Sequence, residues 1–422
     1  MASSPTDTRY DLIVVGGGPA GMFAAGFAAL NGAKVLLLEK NRRCGVKILI
    51  TGKGRCNVTN GDADPLRFVE HFGRNGKALL TALYAFGVSD TIAFFEERGL
   101  ALQTERGGRV FPARGGAAEV QKVLQRFVEE AGVELRADCR VEHLAMTGGR
   151  IDAVETSRGA FTAERFIVAT GGLSYPETGC TGDGYRWAEQ SGHRLVTPQA
   201  SLMPIALAED WTGELLNFNL KNVKIRICAD GKPIGERFGE AFFTRGGMGG
   251  PIILDLSSTI RDALASSKVT LHLDLKPAVS EDLFDKRLQR ELAEQSNKNF
   301  CNALGGLLPR DMTPRFLLLS GIDPEKKCHS VTREERKTLL GLFKNLTMTV
   351  TGHEGMKKAI ITAGGVSLKD VDMRTMRSKK VENLYFAGEM IDLDGPTGGF
   401  NLQVCWSTGH LAGTSAAPDC GA

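Results

Sequence analysis

The sequence predicts an α/β fold in which a parallel-sheet domain is interrupted by an antiparallel insertion and a charged helical stretch. Three observations carry this expectation. Residues 10–39 read as strand, glycine turn, helix and strand. After about residue 198 the pattern changes to strict apolar–polar alternation, as at Val269, Leu271, Leu273 and Leu275. From Ile360 onward short strands and glycine turns return and run into a long apolar segment ending at Gly413.

Along the chain, Tyr10–Val15 is an apolar run, GGGPAG at 16–21 is the turn, and Met22–Leu30 is a helix of small apolar residues. Lys34–Glu39 is a second strand ending in an acid. Residues 78–100 and 116–131 have helical spacing, and Leu135–Leu144 with Ile151–Thr156 form a strand pair leading into the strand Arg165–Ala169. In the insertion, Val223–Ala229 and a turn at Asp230-Gly231 indicate antiparallel strands. Residues 280–296 and 332–344 are amphipathic helices with a charged face. These signals divide the chain into residues 1–197 with 352–415, a β insertion at 198–277 with 345–351, and a helical domain at 278–344.

The chain has 422 residues, 42% of them apolar and 24% charged, which places it among ordinary globular proteins. Glycine is enriched, 51 of 422, and falls in short clusters that suit tight turns and close backbone approach to a ligand. A net charge of +3 argues neither for nor against nucleic acid. The nine cysteines (44, 56, 139, 180, 228, 301, 328, 405 and 420) contain no CxxC pair, so neither a zinc ribbon nor a dithiol redox motif is written here. No metal site and no membrane span are expected, since no apolar run reaches 18 residues. The start of the chain lacks an apolar leader, so a cytoplasmic protein with reduced thiols is expected, and the sequons at Asn57 and Asn345 should stay unmodified.

GGGPAG fits GxGxxG through Gly16, Gly18 and Gly21. It follows a strand, opens a helix, and is followed by Glu39 at the end of the next strand, which is the context of a dinucleotide site. Gly16 permits the turn, Gly18 lets the backbone approach a pyrophosphate, and Gly21 allows helix–strand packing. Glu39 is the expected acceptor of ribose hydroxyls. One such fingerprint implies FAD, with NAD(P)H as a transient donor lacking its own fold. Lys40, Arg42 and Arg43 read either as a phosphate clamp or as a solvated run.

Three further glycine clusters follow in order: Ala169-Thr170-Gly171-Gly172, Thr181-Gly182-Asp183, and the segment from Gly388-Glu389 to Gly398-Gly399-Phe400-Asn401-Leu402. Glu389 can hold ribityl hydroxyls, and the helix starting near Gly399 can stabilise negative charge on a reduced flavin. The candidate cofactor set is completed by Pro19, Ala20, Lys40, Lys47, Gly54 and Val141. Tyr175, after the second cluster, either faces substrate or packs as an aromatic. His410 is expected to be a satisfied core residue.

ITGKGRCNVTN at 50–60 resembles a phosphate loop, but Lys53 is followed by glycine rather than Ser or Thr, so the GxxxxGK[ST] pattern fails. Together with GRVFPA at 108–113, ATGGLSYPETGCTGDGYRWAEQSGH at 169–193, RGGMGGPIILDLS at 245–257, ITAGGVSLKDVDMRTMRSK at 361–379 and the C-terminal motif, it is similar to the BaiN/YhiN-like flavoprotein family, also labelled aminoacetone oxidase family FAD-binding enzymes. The resemblance spans nearly the whole chain. It implies a Rossmann-like FAD-binding domain built from both chain ends, with an inserted antiparallel β-barrel-like domain and a small helical domain. It further implies that the 50–57 loop lies beside the flavin, where Arg55 and Asn57 would hold cofactor. Cys56 reads either as a buried small residue or as a proton donor near the flavin. Family members commonly have GGGRCN here, whereas Lys53 adds a charge to this loop.

The resemblance implies an FAD-dependent oxidoreductase that passes hydride from NAD(P)H through flavin N5 to a carbonyl-conjugated C=C bond. The substrate is then an unsaturated small molecule or uridine in ribosomal RNA, the latter giving dihydrouridine. Basic residues Arg42, Arg43, Lys47, Lys53 and Arg55 are compatible with an RNA partner. The alternatives are a flavin amine oxidase of aminoacetone type and a non-catalytic FAD-binding protein.

Overall fold

The computed structural model describes residues 9–418; Cys420 and the first eight residues lie outside them. The chain separates into two compact units, one formed by residues up to Ser201 together with those from Ala359, the other by Leu202–Lys358.

The first unit is organised by a parallel sheet of Glu134–Arg136, Val35–Leu38, Tyr10–Val15, Gly159–Val168 and Leu384–Phe386, in that spatial order. The central strand Tyr10–Val15 is apolar almost throughout and buried, as a strand covered on both faces must be. Its register pairs Leu12 with both Val35 and Arg165. The strands Val141–Thr147 and Arg150–Thr156 form an antiparallel meander leading into Gly159–Val168. Smaller sheets pair Leu195–Ser201 with Ile361–Val366, and Thr59–Asn60 with Arg109–Pro112 and Leu102–Glu105.

Residues 78–100 do not form one helix. Leu80–Ala85 and Val88–Glu97 are separate, because Gly87 caps the second by donating its amide to Asp90 Oδ2 at 2.8 Å. Helix Ala117–Glu130 lies where its spacing predicts.

Two helices dominate this unit's packing: the first, Pro19–Leu30, and the C-terminal one, Phe400–Ala416. A Cβ on Gly409 would lie 2.5 Å from the carbonyl oxygen of Ala20, and one on Gly413 2.3 Å from that of Ala24. Glycine at both positions therefore lets the two backbones touch. Around the crossing, Phe23 packs against Phe86, Phe94 and Trp406.

The second unit is a closed six-stranded barrel in the order Ile205–Leu207, Gly247–Gly249, Lys232–Thr244, Asn219–Ala229, Val269–Asp274 and Leu346–His353. Alternation sends Ile225, Ile227, Leu271, Leu273 and Met348 inward, where all are fully buried. Helices Glu281–Glu294, Thr313–Ser320 and Arg333–Lys344 do not stand apart as a further domain: Phe284, Phe316 and Phe343 belong to the same apolar core as the barrel strands. A short helical segment has too little surface of its own to close a core, so it completes the barrel's. Among the described residues, no single helix is long and apolar enough to cross a membrane.

Gly413→Ala forces a methyl into the Ala24 backbone and should destabilise the protein by about 1–3 kcal/mol. Thermal unfolding checks this; a variant melting with the wild type would show that the helices are not held at this separation.

Candidate functional site

The glycine turn closes the site at its base. Gly16 has φ +106, and its amide donates to the Leu38 carbonyl at 2.8 Å. A Cβ on Gly16 would come within 2.6 Å of the Ala169 oxygen, and one on Gly21 within 1.8 Å of the Gly16 oxygen. These two glycines are required by the chain itself. Gly18 is different: nothing lies within 4 Å of the position its Cβ would take. It precedes Pro19, Ala20 and Gly21 in a first turn that no side chain caps.

Glu39 is buried, with Oε2 accepting the Gly17 amide at 2.8 Å and Oε1 the Asn41 amide at 2.7 Å. Burial raises its pKa, and the two amides only partly offset that. Each oxygen keeps a lone pair for a ligand hydroxyl. Lys40 is committed elsewhere: its ammonium donates to Thr181 Oγ1 at 2.5 Å and Asp183 Oδ2 at 2.8 Å. Burial alone would raise the Asp183 carboxyl; Lys40 and Thr181 outweigh it and hold it low. Gly182, in the left-handed region, caps helix Asp183–Gln190, and Val141 is buried at the start of its strand. The structure thus brings Lys40, Thr181 and Asp183 together, and Lys40 is no free phosphate clamp.

The strand end at Ala169, Thr170, Gly171 and Gly172 leads to a second cluster. Thr362 Oγ1 accepts the Leu173 and Ser174 amides at 2.7 and 3.1 Å, and a Cβ on Gly172 would strike it. Glu389 Oε1 accepts the Thr362 amide at 2.8 Å and the Ser174 hydroxyl at 3.1 Å, while Oε2 takes the Lys47 ammonium at 2.8 Å. Ser174 and Thr362 were not among the residues expected here. They meet Lys47 and Glu389 only through folding, since the hydrogen-bonded pairs are separated by up to 342 positions, and no local spacing announces them.

At the C-terminal helix, Gly388, Gly398 and Gly399 all have positive φ. A Cβ on Gly399 would meet Thr59 at 2.3 Å, so the helix start is pressed against the strand that follows the 50–57 loop. Asn401 spends its side chain on the preceding loop, exchanging hydrogen bonds with Gly395 and Pro396. Its side chain is thus engaged by the fold, while the first-turn backbone amides of Phe400, Asn401 and Leu402 have no side-chain cap.

The two helix starts have a definite offset. Gly409 and Gly413 face Ala20 and Ala24 in the same chain direction, so the helices run parallel. The crossing at Ala20 comes one residue into the first helix but nine into the C-terminal one. The two positive ends are thus stepped by about 12 Å, at ~1.5 Å per residue.

In the 50–57 loop, Arg55 stacks over the Phe111 ring at 4.1 Å and pairs with Glu105, so its guanidinium is engaged by the adjacent small sheet. Lys53 and Cys56 both adopt positive φ, beside Gly52 and Gly54. Cys56 is fully buried, and burial pushes its thiol up to about 12. Asn57 Oδ1 is buried and makes no hydrogen bond. Tyr175 is half-buried, with φ +51, and opens a short turn. His410 is not the satisfied residue expected: its ring lies between Phe27 and Phe86, and its buried Nδ1 has no partner. Burial holds its pKa below the usual histidine value.

A family model described as "HI0933-like protein Rossmann domain" matches residues 10–415. The ribosomal RNA dihydrouridine synthase of Escherichia coli is 31% identical over 95% of this chain and 96% of its own length. The 3-dehydro-bile acid delta(4,6)-reductase of Clostridium scindens is 29% identical over 96% of this chain and 98% of its own. Among solved structures, the 3-ketosteroid-delta4-(5alpha)-dehydrogenase of Rhodococcus jostii shares the fold with a TM-score of 0.55, at 15% identity and 98% coverage of both chains.

A fully buried, neutral thiol is a poor nucleophile. Cys56 should therefore resist iodoacetamide at pH 8 in the native protein and react only after unfolding, as read by peptide mass spectrometry. Rapid native labelling would overturn its placement.

Proposed function

The chain belongs to the HI0933-like Rossmann family, a family of FAD-dependent oxidoreductases, and from that premise we propose that it is a reductase using FAD and NAD(P)H to saturate a C=C bond conjugated to a carbonyl. The observation that carries the flavin part is the contrast among the fingerprint glycines. Gly16 and Gly21 are demanded by packing, whereas a side chain on Gly18 would meet no protein atom. Its absence leaves room for a ligand at an uncapped helix start, where a phosphate is favoured.

Other residues fit the same elongated ligand. Glu39 retains acceptor capacity for a ribose, and Glu389 for a ribityl hydroxyl. The second helix start, stepped from the first, suits negative charge at the ring end. The unpaired Oδ1 of Asn57, next to the Val58–Thr59 stretch against which that helix start packs, is an acceptor a ligand donor would satisfy. When bound, FAD supplies a two-electron carrier that accepts hydride from a nicotinamide and gives it to an electron-poor carbon.

The reductase part is supported by the chemistry the two relatives' names share. A 3-oxo-Δ4,6 steroid acid and uridine each carry a C=C bond conjugated to a carbonyl. Saturating it takes a hydride at one carbon and a proton at the other. Buried Cys56, with its thiol pushed up to about 12, is a poor proton source. The remaining proton-donor candidate is Tyr175, which follows Ser174 of the Glu389 cluster in the chain.

Anaerobic mixing with NADH or NADPH should bleach the bound flavin within the time of turnover. Adding a 3-oxo-Δ4,6 steroid acid, or an unmodified ribosomal RNA transcript, should restore absorbance for the true substrate class. A flavin that no nicotinamide reduces would overturn the reading, and reduction by aminoacetone instead would establish the oxidase. Gly18→Ala should lower the melting temperature of the FAD-free protein only slightly, because its Cβ would meet no protein atom and only the N-cap preference, about 1 kcal/mol or less, is lost. The same variant should lose FAD on purification; full flavin content would remove Gly18 from the site.

A further inference from the structure

The ion pair between Lys47 and Glu389 does more than fill space. Lys47 and Glu389 have side chains only 19% and 17% exposed. Among the described residues, the Glu389 carboxylate receives two neutral donors, the Thr362 amide and the Ser174 hydroxyl, and a single cation, Lys47 at 2.8 Å. Lys47 also donates to Ser174 Oγ at 2.6 Å, so the same ammonium fixes the hydroxyl and the carboxylate. Among the described residues, the other titratable groups that interact with Glu389 carry no positive charge. Cys180, from the loop before helix Asp183–Gln190, and Cys405, from the C-terminal helix, are thiols pushed up by burial, Cys405 to about 12. Tyr185 donates its hydroxyl to the Glu389 carbonyl at 3.3 Å and is also held neutral by burial.

Taking a carboxylate out of water favours its neutral form, and a cation in direct contact opposes that more strongly than neutral donors do. Two neutral donors do not supply that charge. A protonated Glu389 would carry a hydrogen on one oxygen and lose acceptor capacity where a ligand hydroxyl must donate.

We propose that Lys47 is a positioning residue that keeps Glu389 ionised and aimed, so that the chain retains FAD across a wide pH range. This rests on the flavin reading above. In its absence, Glu389 takes up a proton as pH falls and FAD is released.

FAD dissociation constants, measured by flavin fluorescence between pH 5.5 and 8.5, test this in the wild type, K47M, K47R, E389Q and K47M/E389Q. The wild type should vary by about twofold or less across the range. K47M should bind progressively more weakly as pH falls, approaching about tenfold per pH unit below the new carboxyl pKa, the limit for one linked proton. K47R should restore the flat profile, E389Q should bind weakly without pH dependence, and the double variant should bind no more weakly than E389Q. A K47M profile parallel to the wild type, or a double variant weakened beyond E389Q, overturns the proposal. If K47M does not fold, K47M/E389Q, which removes both charges, is compared with E389Q, and FAD binding weakened beyond that of E389Q overturns the proposal. A wild type that binds no FAD overturns the flavin reading instead.

Discussion

The close parallel contact between the first and last helices is the constraint on which the rest of the FAD-type unit depends. Gly409 and Gly413 lie against the carbonyls of Ala20 and Ala24 at distances no larger residue permits. That contact joins the two ends of a chain interrupted by Leu202–Lys358. It also sets both helix starts on the same side, one stepped beyond the other. Gly388 obeys the same limit, since a Cβ there would lie 2.7 Å from Ala20 Cβ. A fingerprint turn without the C-terminal helix would offer one anion-favouring end, and the pair offers two.

Once the C-terminal helix is seated, its side chains organise the neighbouring loops. Gln403 Oε1 accepts the hydroxyls of Thr59 and Thr91 at 2.6 and 2.9 Å, and its amide donates to Ser407 at 3.0 Å. Trp406 donates to the Val58 carbonyl at 2.9 Å. All these groups are buried, and a buried network of this kind is stabilising only when every member is satisfied. It therefore fixes where the 50–60 segment can lie, and with it Cys56 and Asn57. The cysteines around the site act in the same spirit. Cys44 fills the space beside Gly17, Cys180 that beside Gly171, and Cys405 that beside Gly388. They pack as small apolar residues against backbone that must stay bare.

Charge in the site is arranged by commitment as much as by presence. Lys40, Arg55 and Asn401 are all polar residues of the candidate site, and each has its side chain engaged by the protein. Glu39 and Glu389 are engaged too, but a carboxylate has four acceptor positions, and each retains some. The acids of the site thus keep spare acceptor capacity while Lys40 and Arg55 are engaged by the fold.

The sequence by itself determined the local chemistry of the fold. The strand–turn–helix at 10–30, the acid at Glu39, the alternating strands of the insertion and the glycine clusters at 169–172 and 388–399 were all legible. Each depends on neighbours within a few positions: backbone sterics at glycine, a two-residue or 3.6-residue period, a strand ending in a carboxylate. What only the tertiary structure decided is which side chains are still free to act. The Arg55–Glu105 pairing, the Asn401 clamp, the unpaired Nδ1 of His410 and the meeting of Lys47, Ser174, Thr362 and Glu389 left no trace in local pattern. Nor did the union of the charged helices with the barrel core. The reason is that a side chain's remaining hydrogen-bonding capacity depends on partners dozens to hundreds of residues away, and those are chosen by packing rather than by sequence spacing.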